Sequence, residues 1–83
     1  MQFNEHYVKG VLLPLIKRWS AFSEEKIQNE CYTYGCYELG NSKCNIVYIG
    51  QGRVKDRLVI HWKDTRGKPR VSYYRWHLLR NQI

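Results

Sequence analysis

Apolar residues recur near the start of the chain, at positions 7, 8, 11, 12, 15, 16 and 19. This spacing is typical of one broad face of an α-helix and predicts a helix over residues 5–19, kinked or split at Pro14. Ser23 has the position of an N-cap for a short second helix over residues 24–29, which carries two glutamates in its first turn. We expect this helical extension, residues 1–30, to cover one face of a sheet.

The pattern becomes that of strands after residue 30. Two short apolar runs, at 33–39 and 45–49, flank a Gly-Asn-Ser-Lys segment of turn composition and predict a β-hairpin. The second run is short and β-branched, which favours a central, buried strand. Residues 53–63 show helical spacing, and residues 71–76 are β-branched and aromatic, which predicts a third strand. The predicted fold is α+β: one domain, residues 1–83, with a small three-stranded, mainly antiparallel sheet flanked by helices.

Polar side chains suited to phosphate chemistry are expected to meet where the hairpin joins the helix. Each predicted strand carries a tyrosine, Tyr37 and Tyr48. Arg57 and His61 are four residues apart, so their side chains project from one face of the predicted helix. Glycines in this region are expected to form structural turns, and Gly50 and Gly52 to turn the backbone into the helix. These glycines are Gly35, Gly50 and Gly52.

The ordered set of residues resembles the GIY-YIG nuclease domain. Its first motif is matched by Gly35-Cys36-Tyr37, with cysteine in place of the usual isoleucine, and its second by Tyr48-Ile49-Gly50. The family's arginine, followed four residues later by histidine, is matched by Arg57 and His61. The interval from Gly50 to Arg57 is one residue shorter than the family's. The resemblance covers residues 35–61 and extends to a third strand at 71–76.

The resemblance implies phosphodiester hydrolysis. A water attacks phosphorus, tyrosine oxygens (Tyr37 and Tyr48) orient or deprotonate the water, and Arg57 stabilises the phosphate charge. His61 serves as a proton relay or tyrosine partner. The family also implies Mg²⁺ or another divalent cation, held by a glutamate on a helix after the third strand. No glutamate follows Glu38 in this sequence, so we expect that C-terminal helix and a clear metal ligand to be missing. Little or no magnesium-dependent cleavage by residues 1–83 alone is therefore expected.

The charge distribution favours a polyanionic partner. The net charge is +7, and residues 1–52 sum to zero, so the whole excess lies in residues 53–83. Nucleic acid is the predicted partner, with DNA favoured by the resemblance, and affinity should fall steeply with salt. The candidate contacts are Arg53, Lys55, Lys63, Arg66, Lys68, Arg70 and Arg75.

Other function classes fit the sequence less well. No apolar run is long enough to span a membrane, and the N-terminus lacks the features of a signal peptide. Three cysteines, an odd count without a Cys-x-x-Cys pair, favour neither a disulfide framework nor a zinc site and suit a reducing cytoplasm. Two alternatives to a nuclease stay open. One is a nucleic-acid-binding module without catalysis, in which Tyr73, Tyr74 and Trp76 stack on bases. The weaker one is a protein-interaction domain whose basic face meets an acidic partner.

Overall fold

A computed structural model describes residues 7–8, 11–65 and 70–79 of the chain. Its elements are β1 (Tyr7–Val8), β2 (Val11–Leu12), β3 (Ser20–Ala21), α1 (Glu24–Gln28), β4 (Tyr34–Gly40), β5 (Ile46–Arg53), α2 (Val54–Thr65) and β6 (Tyr73–Leu78). Strands β1 and β2 pair with each other, and the other four form an antiparallel sheet in the order β3-β6-β4-β5. The described part of the chain is thus a small α+β domain, as predicted, with four strands in its main sheet instead of three.

The predicted helix over residues 5–19 is wrong where the structure describes it. That stretch holds strands β1 and β2 and an extended segment that leads to β3. Val11, Leu13 and Leu15 are buried, whereas Pro14 and Ile16 are exposed, so the burial has a period of two rather than of a helix. Pro14 explains the outcome, because it removes a helical hydrogen bond and leaves fragments too short to nucleate a helix.

The predicted hairpin is confirmed and consists of β4 and β5. The side chain of Asn41 closes its turn, because Oδ1 accepts hydrogen bonds from the backbone N–H groups of Lys43 and Asn45, each at 2.9 Å. The prediction that the second strand is central was wrong. Strand β5 lies at the edge of the sheet, since β6 pairs with the other side of β4.

Strand β4 is the centre of the domain and is covered on both faces. From Gly35 to Gly40 every residue is buried. One face packs against α1 and α2 through a core that includes Ile27, Tyr37 and Leu58. The other face packs against Val11, Leu13 and Leu15 through a smaller core that includes Cys36. Burial on both faces explains why β4 shows no simple alternation of apolar and polar residues.

Both helices predicted after residue 20 are confirmed with small shifts of their ends. Ser23 caps α1, because its Oγ accepts a hydrogen bond from the N–H of Lys26. Among the described residues, neither helix combines the length and the apolar composition needed to cross a bilayer. All three cysteines are free thiols. Cys36 is buried opposite Gln51, and Cys44 lies in the hairpin turn, so these two do not face each other across the strands.

Candidate active site

Tyr37 is the buried centre of the candidate site. Its register places it opposite Gly50 on β5 and Trp76 on β6, so it shares with them the sheet face that α2 covers. Only 1% of Tyr37 is exposed. Its phenol leans across Gly50, where an added Cβ would lie 2.5 Å from the Tyr37 hydroxyl oxygen. The absence of a side chain at Gly50 therefore makes room for the phenol. Gly50 lies within β5 rather than in the predicted turn.

Tyr37, Tyr48 and His61 form one cluster of three rings. The hydroxyl of Tyr37 lies 2.9 Å from Nε2 of His61. The ring centroids of Tyr48 and His61 are 4.5 Å apart, and those of Tyr37 and Tyr48 are 6.1 Å apart. Tyr48 is 40% exposed, in contrast to Tyr37. The cluster thus presents Tyr48 to solvent and keeps Tyr37 beneath it.

Burial sets the charge state of the cluster. It raises the pKa of Tyr37 well above its ordinary value; the adjacent Tyr48 phenol adds to the rise, and Arg57 opposes it. Burial also lowers the pKa of His61, with Arg57 lowering it further and Asp64 acting in the opposite direction. At neutral pH both groups are therefore uncharged. A neutral imidazole has one donor and one acceptor nitrogen, so the Tyr37 O–H donates to Nε2 in the tautomer that carries its proton on Nδ1.

Arg57 lies beside this cluster on the first turns of α2. Gly52 is opposite Gly35 in the sheet and has φ +145°, a backbone conformation that residues other than glycine rarely adopt. A Cβ at Gly52 would lie 2.9 Å from Nε of Arg57, so the guanidinium packs directly on this glycine. Gly35 and Gly50 lie inside strands, so the expectation that they form turns was wrong, whereas Gly52 has its positive φ two residues before α2 begins at Val54.

An open depression of about 290 Å³ adjoins Arg57. Its lining combines two guanidinium groups, a carboxylate, an aromatic ring, an apolar side chain and a glycine. The lining residues are Tyr34, Gly52, Arg53, Asp56, Arg57 and Ile60. Tyr34, Asp56 and Ile60 were missed by sequence reasoning. Helical spacing could have found two of them, because Asp56 and Ile60 are four residues apart on the α2 surface next to Arg57.

The predicted nucleic-acid contacts differ in their exposure and in their interaction partners. Arg53 is exposed and pairs with Asp56 at 3.5 Å. The ammonium of Lys55 donates to the carbonyl of Gln28 at 2.8 Å and lies 4.5 Å from the centre of the Tyr32 ring. Lys63 and Arg70 are exposed, whereas Arg66 and Lys68 lie outside the described residues.

Arg75 does not belong to the exposed basic surface. Its Nε donates to the buried carboxylate of Glu38 at 2.7 Å, and its Nη1 donates to the carbonyl of Lys17 at 3.0 Å. The guanidinium also lies 3.9 Å from the centre of the Trp19 ring. These contacts are on the sheet face opposite Tyr37. Because the Arg75 guanidinium is already engaged in these contacts, we remove this residue from the candidate nucleic-acid contacts.

The aromatic residues of β6 divide between core and surface. Tyr74 is 1% exposed, and Trp76 is partly buried on the same face. Both donate hydrogen bonds to the Glu30 carboxylate, Trp76 through Nε1 at 2.9 Å. Tyr74 is therefore a core residue and cannot stack on a base, while Tyr73 is half-buried on the other face.

The described residues contain no cluster of potential metal ligands. Among them, no group of three or more histidine, cysteine, aspartate or glutamate side chains lies close enough to hold a metal ion. Glu38, the one carboxylate on β4, is 0% exposed and binds the backbone N–H of Leu15 and the guanidinium of Arg75.

Comparisons with known proteins give a family but no described activity. Searches of curated proteins and of solved structures returned no match. One family profile, described as Domain of unknown function (DUF7508), matches residues 13–82, which include every element from β3 to β6. Since the match spans most of the 83 residues, this chain belongs to the DUF7508 family.

Proposed function

We propose that this chain is a GIY-YIG-like endonuclease domain that binds DNA and hydrolyses its phosphodiester bonds at the Tyr37–Tyr48–His61 cluster, incomplete or weakly active in residues 1–83 alone. The observation that carries the proposal is the contact among these three rings with Arg57 beside them. Residues from β4, β5 and α2, separated by up to 24 positions, meet around one hydrogen bond of 2.9 Å. The proposed partner implies an intracellular location.

Arg57 binds the phosphate in this proposal. A guanidinium stays charged at any physiological pH and offers a fork of N–H donors that matches two phosphate oxygens. Gly52 allows the Arg57 side chain to lie flat against β5, which restricts the directions in which the fork can point. The charge of Arg57 is also felt by Tyr37 and His61, whose pKa values it lowers. A phosphate on Arg57 would therefore lie next to the ring cluster.

The three rings form a path for the proton of the attacking water. Tyr48, the exposed member, contacts the water, and the centre of its ring lies 6.1 Å from that of Tyr37. As the water oxygen attacks phosphorus, its proton passes to Tyr48, the Tyr48 proton to Tyr37, and the Tyr37 proton to Nε2 of His61. The bond from phosphorus to the leaving oxygen breaks, and that oxygen takes a proton from solvent. Asp64 favours the imidazolium that forms, because it raises the pKa of His61.

A nucleic-acid-binding module without turnover is the second candidate. One observation favours it: burial raises the pKa of Tyr37, which keeps this phenol protonated at neutral pH, so that no phenolate is available to take a proton from water. Such a module would use Arg57 and the exposed basic residues Arg53, Lys63 and Arg70 for phosphate contacts. Binding would then be electrostatic and strongly dependent on salt.

The test combines a plasmid-nicking assay, with magnesium or manganese, and a titration of duplex DNA at several salt concentrations. Arg57→Ala should reduce any cleavage by about 10²–10³-fold, the usual effect of losing one donor to a developing oxyanion. It should also lower the slope of log affinity against log salt by about 1, since one phosphate contact is lost. Lys43→Ala is the matched control, because Lys43 is an exposed cation in the hairpin turn, at the other end of β4 and β5.

The outcomes separate the candidates. Cleavage that falls with Arg57→Ala and not with Lys43→Ala supports the nuclease. Salt-dependent binding that Arg57→Ala weakens, without cleavage by the wild type, supports the binding module. Cleavage that Arg57→Ala leaves unchanged would refute the assignment of the site, and the absence of DNA binding at low salt would refute both candidates.

A further inference from the structure

The depression beside Arg57 has features that the proposed phosphate site does not use. Tyr34, the first residue of β4, is 62% exposed, and Ile60 on α2 is 53% exposed. Both line the same space as Arg57. An exposed aromatic ring and an exposed aliphatic side chain next to a phosphate-binding arginine suit a ligand with both a flat apolar part and an anionic part. A nucleotide unit has both.

We propose that this depression binds one unpaired nucleotide, whose base stacks on Tyr34 while its phosphate contacts Arg57. The inference rests on the proposed function, because it takes the phosphate at Arg57 from there. It adds the substrate class: nucleic acid with a single-stranded stretch next to the phosphate that is bound. Bases of a continuous duplex are stacked on their neighbours, so they do not offer a free face to a tyrosine ring.

The charges and size of the depression fix how the nucleotide lies. Asp56 pairs with Arg53 at 3.5 Å, and both side chains are about half exposed. Its carboxylate repels a phosphate placed near Arg53 and leaves Arg57 as the anion site. The volume of about 290 Å³ lies just below the range for small-ligand pockets, which begins at roughly 300 Å³. It therefore suits one base with its sugar and not a longer segment.

Stacking on Tyr34 can be separated from general electrostatic attraction. Fluorescence anisotropy would measure the affinity of labelled single strands of about 12 nucleotides, a typical length for single-strand sites, as DNA and as RNA, and of the matching DNA duplex. A 2-aminopurine in the single strand reports stacking directly through the quenching of its fluorescence. The variants are Tyr34→Leu, which removes the ring, Tyr34→Phe, which keeps it, and Tyr32→Leu. Tyr32 is the control, because it is 67% exposed nearby and does not line the depression.

We expect Tyr34→Leu to weaken single-strand binding by about 5- to 150-fold, as the loss of one stacked base predicts, and to abolish the 2-aminopurine quenching. Duplex affinity should change less than about twofold, since stacking needs an unpaired base. Tyr34→Phe and Tyr32→Leu should bind like the wild type. An equal loss for single strand and duplex, or the same loss with Tyr32→Leu, would overturn the stacking site while leaving the proposed function intact. A wild type that binds none of these nucleic acids would overturn both.

Discussion

The ion pair between Glu38 and Arg75 should be a major contributor to the stability of the domain. The carboxylate of Glu38 is fully buried and accepts from the N–H of Leu15 at 3.0 Å and from Nε of Arg75 at 2.7 Å. Arg75 is itself only 13% exposed at its side chain and reaches the carbonyl of Lys17. The pair therefore holds the extended segment before β3 on the sheet face opposite α2. Either substitution, Glu38→Met or Arg75→Met, would leave a charge without its partner.

The burial of the pair determines how much stability each substitution removes. Removing one member of a buried pair costs about 3–5 kcal/mol, because the other charge remains desolvated. A domain of 83 residues has a stability of roughly 4–12 kcal/mol in total. Each single variant should thus lose a large part of the stability. The double variant, Glu38→Met with Arg75→Met, buries no charge and leaves mainly the Leu15 N–H without an acceptor, at a cost of about 1–3 kcal/mol.

Urea unfolding, followed by tryptophan fluorescence, measures all three variants. The double variant should be more stable than the sum of the single effects predicts, by about 3 kcal/mol or more, since both singles pay for the same missing partner. Asp56→Asn is the control. It breaks the exposed pair with Arg53 and should cost less than about 1 kcal/mol. Additive effects of the two methionine substitutions, or a loss with Glu38→Met no larger than with Asp56→Asn, would refute the reasoning.

Two further predictions concern side chains buried on the two faces of the sheet. Gly50→Ala should destabilise the domain by about 1–3 kcal/mol, because its Cβ would overlap the buried phenol of Tyr37; urea unfolding would show this, with exposed Gln51→Ala as the control and an unchanged midpoint as the contrary result. Stability should also fall as the pH rises above about 9. Burial raises the pKa of Cys36 from 9.0 to about 11 and raises those of Tyr37 and Tyr74, so the unfolded chain releases these protons first. Unfolding curves from pH 8 to 11 would test this, with a shallower decline expected for Cys36→Ala and a flat profile contradicting it.

The sequence predicted the elements that local rules determine. The hairpin, α1 and α2 follow from turn composition, capping and helical spacing, which act between residues close in the chain. The conformation of the N-terminal segment could not be predicted from such local rules, because its apolar run fits a helical stripe as well as an extended chain. What distinguishes them is a long-range contact: Leu15 donates to Glu38, which is 23 residues away. Pro14 was the local sign that favoured the extended form.

The position of β5 depended on a contact that no local pattern encodes. A hairpin alone does not determine which of its strands becomes central, since either one has a free edge for a third strand. Strand β6 pairs with β4, whose residues Cys36 and Glu38 meet His77 and Arg75. The buried carboxylate of Glu38 thus has its cation on the neighbouring strand. A glutamate inside an apolar strand, with an arginine in a later one, was the available indication of this pairing.

The glycines of β5 explain why the candidate site forms where it does. Side chains at alternate positions of a strand share a face, so positions 48, 50 and 52 all point toward α2. Tyr48 fills the first position, while Gly50 and Gly52 leave the next two empty. Tyr37 from β4 occupies the space above Gly50, and Arg57 from α2 occupies the space above Gly52. A tyrosine followed by two alternate glycines therefore specifies where side chains from two other elements can approach this strand. That relation links the spacing of the motif to the contact among the rings.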